Sequence, residues 1–463
     1  MNRPQLLFPW ILCALSTCAL SACVGHDADR TLAARVDSLV APRIAAHELS
    51  GAIVLTRAGK VVYSRGFGMA EHEANVPFTP DTPADGGSLA KPFTAAGVWW
   101  LVEEGRVELD APVQRYVPEF PHAETTVRHL LTHSNGLPPY YEFFDPFFGK
   151  DEVRTTVALL AVVAKQSPMP SFTPGTRFEY SNLGFDAAAL VIERVTGQRY
   201  DHFLRDRFFQ RLGMYTTFAR PARFADWSGV RTLGYRWTDN LWQRVDVFDM
   251  EAFLGASNLY FSAADLSRWA SANAAGTALP PAVTTAGATP SDIDGRRSAI
   301  NGLSWYCADD GARCYYTGSI NAFHSLVYWD RARDESVVLV TNSSMPGRQV
   351  VTLQRDLVAL LAGRSSGADD DAAFESFTDD TRAALAGVYI ADDADTISVT
   401  GVAAQLSLRI GSGLEFAVFH IDPMNFYVPG PDLFLAFSGD MSERTMHARG
   451  MFRDQTLRRS RAH

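Results

Sequence analysis

The sequence predicts a mixed α/β (α+β) protein in two parts, and three observations carry that expectation. Strand-like runs stand near both ends of residues 31–363, with a long helix-rich and loop-rich stretch between them. A polar, acidic stretch of small residues, "GRSSGADDDAAFES", follows at 363–376 and reads as a linker. Beyond it, residues 377–463 switch to short alternating runs bounded by Gly, Pro, Asn or Asp, the pattern of a small all-β domain.

The N-terminus reads as a targeting segment. Arg3 supplies a basic start, Leu6 to Leu20 an apolar stretch too short for a confident membrane span, and Leu20-Ser21-Ala22-Cys23 a run of small residues. Residues 1–22 are therefore expected to be a signal peptide. L-S-A-C resembles the bacterial lipobox, which implies that Cys23 becomes a lipid-modified first residue and that 23–30 form a tether. A plain signal peptide cut nearby is the alternative. Val24 after the cysteine, rather than Asp, favours the outer membrane, facing the periplasm.

Residues 31–48 place Leu32, Val36, Leu39 and Ile44 at helical spacing. "GAIVLTR" and "VVYSRGFGMA" flank Ala58-Gly59-Lys60 as a strand pair around a tight turn. Strand signals return at "CYYTG", "HSLVYWD" and "ESVVLVTN", and a helix at about 347–362 closes the unit. The simplest assembly is one antiparallel sheet drawn from both ends, flanked by helices, with the middle inserted as a helical region. In the last part, seven strand candidates run from "LAGVYIA" to "HARGMFR".

At 463 residues, 47% hydrophobic and 20% charged, the chain can bury a large core. A net charge of −10 without any basic run excludes a nucleic-acid partner. Cys13 and Cys18 fall in the segment to be removed and Cys23 at its end, which leaves Cys307 and Cys314 in "WYCADDGARCYY". The Asp-Asp-Gly between them is turn chemistry, so the pair faces across a hairpin and forms a disulfide in an oxidising compartment. Two cysteines without nearby histidines are too few for a metal site.

Only four of the 42 basic residues are lysines, and Lys91 stands three residues after Ser88 in "GGSLAKPFT". Leu89, Phe93, Ala96 and Trp100 share one side, so a helix beginning near Ser88 and stopping at Gly105 is expected, with Pro92 in its first turn. Ser88 and Lys91 then share a face, as a nucleophile beside its proton partner or as an N-cap beside a solvated lysine. In "GTRFEYSNLGFDAAALVIERVTG", Tyr180 and Asn182 lie on the connection between an extended run and a helix from about Gly184. They point into a cleft, or form a core tyrosine and an Asx turn. Tyr316-Thr317-Gly318-Ser319 lies on a strand, where Gly318 permits a ligand to approach the backbone or marks a bulge.

The order Ser88-x-x-Lys91, Tyr180-x-Asn182 and Tyr316-Thr317-Gly318 resembles the class C β-lactamase-related serine hydrolases. That family includes D-alanyl-D-alanine carboxypeptidases, D-aminopeptidases and esterases. The likeness covers residues 31–363 and extends to "VRHLLTHSNGLP" and "YTGSINAFHSLVYWDRARDESVVLVTNSS". It implies the β-lactamase/transpeptidase-like fold, and the C-terminal part looks like the lipocalin-like appendage of some members. It also implies a serine hydrolase in which Ser88 attacks a carbonyl, Lys91 and Tyr180 share the proton relay, and Asn182 orients the relay or binds the substrate amide. The backbone N–H groups of Ser88 and Ser319 form the oxyanion hole, with Tyr316, Thr317 and Gly318 lining the substrate site. No metal or organic cofactor is called for; the partners are a small ester or amide substrate and, through the lipid, a membrane.

Three departures from the family pattern stand out. Tyr316 occupies a position usually held by Lys or His, which removes a positive charge suited to a substrate carboxylate. Ala322 replaces a common glycine, and "HSNG" stands for the usual "HTSG". Finally, "PPYYEFFDPFFG", Pro138–Gly149, is dense in aromatics on a proline-broken loop. It reads as a pocket wall, as loop packing on the helical part, or as membrane contact.

Overall fold

The computed structural model describes residues 12–460 except 139–146, 150–151, 167–168, 228–231, 246–251, 277, 309–310, 346, 365–384, 391–395, 403–404, 411–414, 423–424, 429–432, 439–443 and 450–453. Most of the aromatic loop Pro138–Gly149 and of the linker at 364–376 thus lies outside the described residues.

One eight-stranded antiparallel sheet organises the larger part. In chain order its strands are β1 (Gly51–Arg57), β2 (Lys60–Phe67), β3 (Pro290–Ile293), β4 (Arg296–Asn301), β5 (Tyr306–Ala308), β6 (Arg313–Ile320), β7 (Phe323–Asp330) and β8 (Glu335–Thr341). Their spatial order is β3-β4-β5-β6-β7-β8-β1-β2. The first strand thus pairs the last, Gly51 opposite Thr341 through Arg57 opposite Glu335, so the sheet is closed from both ends of the domain as expected. The hairpin expected around Cys307 and Cys314 is formed by β5 and β6, whereas strands β3 and β4 were not anticipated. Their residues 290–301 are short, polar and turn-rich, so periodicity did not separate them from the helical middle.

The sheet is buried on both faces, which explains the continuous apolar runs of β1 and β8. Ile53, Leu55, Val337 and Leu339 face one core, built with Leu32, Val36 and Val40 of α1 (Leu12–Ala45) and Leu353, Leu357 and Leu360 of a C-terminal helix, Gly347–Leu361. Ala52, Val54, Val338 and Val340 face the second and larger core, shared with the inserted helices. α1 runs without a break through residues 23–30, the stretch expected to be a tether. It ends at Ala45 rather than 48, where Ala46 and His47 turn the chain. Among the described residues no helix is long and apolar enough to cross a membrane.

Two inserted helices carry the chemistry. α2 (Ala90–Glu103) is buried on nearly every side, a central rather than an amphipathic helix. It packs on α3 (Asn182–Thr196), where the missing side chain of Gly97 makes room for Ile192. The C-terminal part is a closed barrel of eight sequential strands, Gly387–Ile390 to Asp454–Arg459, an up-and-down topology like that of lipocalins. Its eighth strand, "DQTLRR", was missed because charge hides its alternation; Leu457 is fully buried.

Candidate active site

Ser88 sits in a single 3-10 turn, Gly87–Leu89, that feeds directly into α2. The turn is fixed from below. Gly86 N–H donates to Leu259 O at 2.9 Å, and Gly87, with φ at +52°, donates to the Asp85 carboxylate at 2.8 Å. Asp85 is fully buried, and that burial pushes its carboxyl up to about 6, with the Gly87 N–H and the Arg220 charge pulling the other way.

The strand β6 lies across this turn. Beyond Tyr315 the edge of β6 has no strand partner, and Gly86 and Gly87 run along it. A β-carbon on Gly318 would stand 1.8 Å from Gly86 O, and one on Gly87 would stand 3.0 Å from Ser319 N. Gly318 is therefore neither a bulge nor a ligand's point of approach; what approaches it is the backbone of the serine turn. The same approach brings Ser319 N beside Gly87, the residue before Ser88. Thr317 and Ser319 project from the opposite face of the strand to Tyr316, and the Ser319 hydroxyl lies 3.1 Å from His324 Nδ1.

Lys91 is 0% exposed, and its ammonium position is defined by three oxygens. Nζ lies 3.1 Å from Ser88 Oγ, 2.7 Å from Asn182 Oδ1 and 3.0 Å from Ala256 O. It also lies 4.8 Å from the centre of the Tyr180 ring. The amide and carbonyl oxygens only accept, so they take two Nζ hydrogens; the third direction, toward Ser88, can carry a proton or a lone pair. Tyr180 closes the other side, its hydroxyl donating to Ser88 Oγ at 2.8 Å. Asn182 is the first residue of α3, held there by the Ser181 hydroxyl, which caps the helix by accepting from Gly184 N–H. The four residues Ser88, Lys91, Tyr180 and Asn182 thus meet although about ninety positions separate them in pairs. The solvated-lysine and core-tyrosine alternatives do not describe this site.

Several further residues were not singled out from sequence. His133, in the turn after the helix Val127–Leu131, is fully buried and stacks on Tyr180 with ring centres 4.5 Å apart. Burial and the Lys91 charge hold its imidazole well below the usual range, so it is neutral. Its Nδ1 accepts the Ser181 N–H at 3.0 Å, and its Nε2 stands 3.4 Å from Ser304 Oγ. Tyr316 is 1% exposed, sandwiched by Tyr306 with ring centres 5.5 Å apart and edged by Trp305. Its hydroxyl faces those of Tyr180 and Ser304 yet forms no well-aligned hydrogen bond. The "H" of "HSNG" was a signal for His133; nothing local in the sequence marks Ser304 or Tyr306.

Cys307 and Cys314 stand opposite each other on β5 and β6 and are joined by a disulfide. Cys23 lies on the backbone of α1. Among the described residues no group of three or more His, Cys, Asp or Glu is set to hold a metal.

A serine at the start of a buried helix, a lysine one turn on, a tyrosine across the cleft and a glycine-bearing strand define a serine hydrolase of the S-x-x-K kind. The chain belongs to the beta-lactamase family, whose family model matches residues 36–361. It is 30% identical over 171 residues to "Penicillin-binding protein 4*" of Bacillus subtilis, covering 37% of this chain and 38% of that protein. It is 34% identical over 218 residues to "Esterase EstB" of Burkholderia gladioli, covering 42% of this chain and 54% of that one. The matches therefore span about a third to a half of those relatives. Among solved structures, the octameric penicillin-binding protein homologue from Pyrococcus abyssi superposes with a TM-score of 0.64 at 22% identity, covering 92% of this chain and 99% of that one. A class C beta-lactamase superposes at 0.57 and 22% identity, covering 71% and 96%. At that identity the structures share the fold.

Proposed function

We propose that the protein is an exported serine hydrolase that cleaves an ester or amide bond through an acyl-enzyme on Ser88. The single observation that carries this reading is the convergence of Lys91 Nζ and Tyr180 OH on Ser88 Oγ, at 3.1 and 2.8 Å. Ser88 passes its proton to this pair as Oγ bonds to the substrate carbonyl carbon. The carbonyl electrons move onto oxygen, where the amides of Ser88 and Ser319 receive them; one such donor is worth about 3 kcal/mol elsewhere. The relay returns the proton to the departing alcohol or amine, and water then releases the acyl group. Tyr180 and Lys91 both touch Ser88, so the reaction needs no other proton carrier.

The reading favours an esterase, amidase or peptidase over a D-alanine carboxypeptidase or β-lactamase. Tyr316 brings no cation to meet a substrate carboxylate, and its side chain is buried against Tyr306 rather than offered to a ligand. A protein that has lost catalysis and only binds cell-wall fragments would not need all four of Ser88, Lys91, Tyr180 and Asn182 in contact.

The test is covalent labelling with a fluorophosphonate and, separately, a fluorescent penicillin, followed by peptide mass spectrometry. Acylation of Ser88 by the fluorophosphonate and turnover of short acyl esters supports the reading. A folded protein that neither probe labels defeats it. Export and the lipid anchor are tested apart, by fractionation and by loss of palmitate incorporation in Cys23→Ala.

A further inference from the structure

The neighbours of Tyr180 are arranged with one hydrogen-bond polarity. His133 Nδ1 accepts the Ser181 backbone N–H, so in the neutral ring the remaining hydrogen is on Nε2. Nε2 therefore donates, and the oxygen it faces is Ser304 Oγ at 3.4 Å. That leaves the Ser304 hydroxyl hydrogen free to turn toward the Tyr316 oxygen. The Tyr316 hydrogen is then left to point at the Tyr180 oxygen, which it faces. One backbone amide thus sets the direction of the His133 step, and the Ser304 and Tyr316 hydroxyls can turn the same way, toward Tyr180.

Ser304 is held for this purpose by a turn that its own residue type does not favour. Its φ is +65°, it is fully buried, and Asn301 secures the turn by accepting from Leu303 N–H at 2.9 Å and Trp305 N–H at 3.0 Å. The Tyr316 hydroxyl is buried without a well-formed partner, a state that costs the resting protein stability and leaves the group available to the reaction.

We propose that His133, Ser304 and Tyr316 are positioning residues, a one-way chain of donors that ends on the Tyr180 oxygen and stabilises its deprotonated form, the form able to take the proton of Ser88. The idea rests on the acyl-enzyme reading above. It assigns Tyr316 to Tyr180 rather than to substrate. The remaining groups around Tyr180 are consistent with this: Lys91 from α2 lies over its ring, Ser88 and Asn182 complete the cleft, and Tyr306 stands behind Tyr316. No carboxylate is among the groups that these contacts place against Tyr180. Burial and the negative charge that Tyr180 would carry both hold the Tyr316 phenol well above its ordinary range, so it stays a donor.

The experiment compares wild type, Tyr316→Phe and Ser304→Ala, each checked by circular dichroism and thermal melting. The rate of fluorophosphonate labelling at Ser88 and the kcat and KM for a neutral acyl ester are followed from pH 5 to 10. The expected result is a fall of 10- to 100-fold in kcat and labelling rate for Tyr316→Phe, with KM within twofold of wild type. The acid limb of its pH profile moves to higher pH, and Ser304→Ala gives a smaller shift of the same sign. A rise in KM with an unmoved profile would make Tyr316 a substrate contact and overturn the proposal. So would wild-type rates and profile in a folded Tyr316→Phe. If wild type itself is unlabelled, it is the acyl-enzyme reading that has failed, which separates the two.

Discussion

The α-carbon of Gly318 stands against the carbonyl of Gly86, so close that a β-carbon would lie 1.8 Å from that oxygen. This contact joins the strand that supplies Ser319 to the turn that supplies Ser88, and Ser325 Oγ reinforces it by donating to the same carbonyl at 3.0 Å. Gly318→Ala must push the two backbones apart. The expected outcome is a loss of more than 100-fold in kcat for an acyl ester with only about 1–3 kcal/mol of destabilisation. Denaturant unfolding measured beside steady-state kinetics checks it; near wild-type kcat would show that the two amides do not act together.

Lys91→Met tests the relay at its most buried member. Methionine fills much of the same volume, and an uncharged chain no longer has to be accommodated in a closed site. Stability should therefore hold or rise by about 1 kcal/mol, while ester hydrolysis falls at least about 1000-fold. The residual label at Ser88, read by mass spectrometry, checks the direction. A variant that loses both fold and activity would leave Lys91 a structural residue.

Asp85 makes stability depend on pH in an unusual direction. Its carboxyl rises from 3.8 to about 6 on folding, because burial outweighs the Gly87 N–H and Arg220. The folded protein thus holds this proton more tightly than the unfolded chain. Its contribution is fully present below about pH 4 and is lost as the pH climbs through 6, a swing of about 3 kcal/mol. Asp85→Asn keeps an oxygen for the Gly87 N–H and removes the charge. It should melt several degrees higher than wild type at pH 7.5 and together with it at pH 4. Equal melting at both pH values would refute the assignment.

The central features of this site were readable because they are local or carried by strong patterns. Ser88 and Lys91 share one helical turn, and the apolar runs of β1, β7 and β8 announce a sheet buried on both faces. Tyr180 and Asn182 could be placed on the right connection but not aimed, since their targets are about ninety residues away. Ser304 and Tyr306 were not readable at all, and His133 only as the histidine of "HSNG". They matter through contacts with Tyr180 and Tyr316 made by tertiary packing, and two of the relevant backbones, at His133 and Ser304, take positive φ values that their residue types do not advertise. Polar strands failed for the same reason at residues 290–301 and 454–459, where pairing rather than hydrophobic alternation defines the element.

The Cys307–Cys314 disulfide ties β5 to β6 at the register where both strands leave for the site. Just beyond it, β5 continues back to Tyr306 and Ser304, and β6 runs on to Tyr316. Closing so short a loop restricts the unfolded chain by about 2–3 kcal/mol. Reduction, or the double change Cys307→Ser with Cys314→Ser, should lower the melting temperature by several degrees. It should also loosen the packing of Tyr306 on Tyr316, so kcat falls while labelling of Ser88 persists. Melting curves and ester kinetics with and without reductant measure both. If reduction lowers Tm and leaves kcat unchanged, the bridge stabilises the hairpin without helping to hold Tyr316 in place.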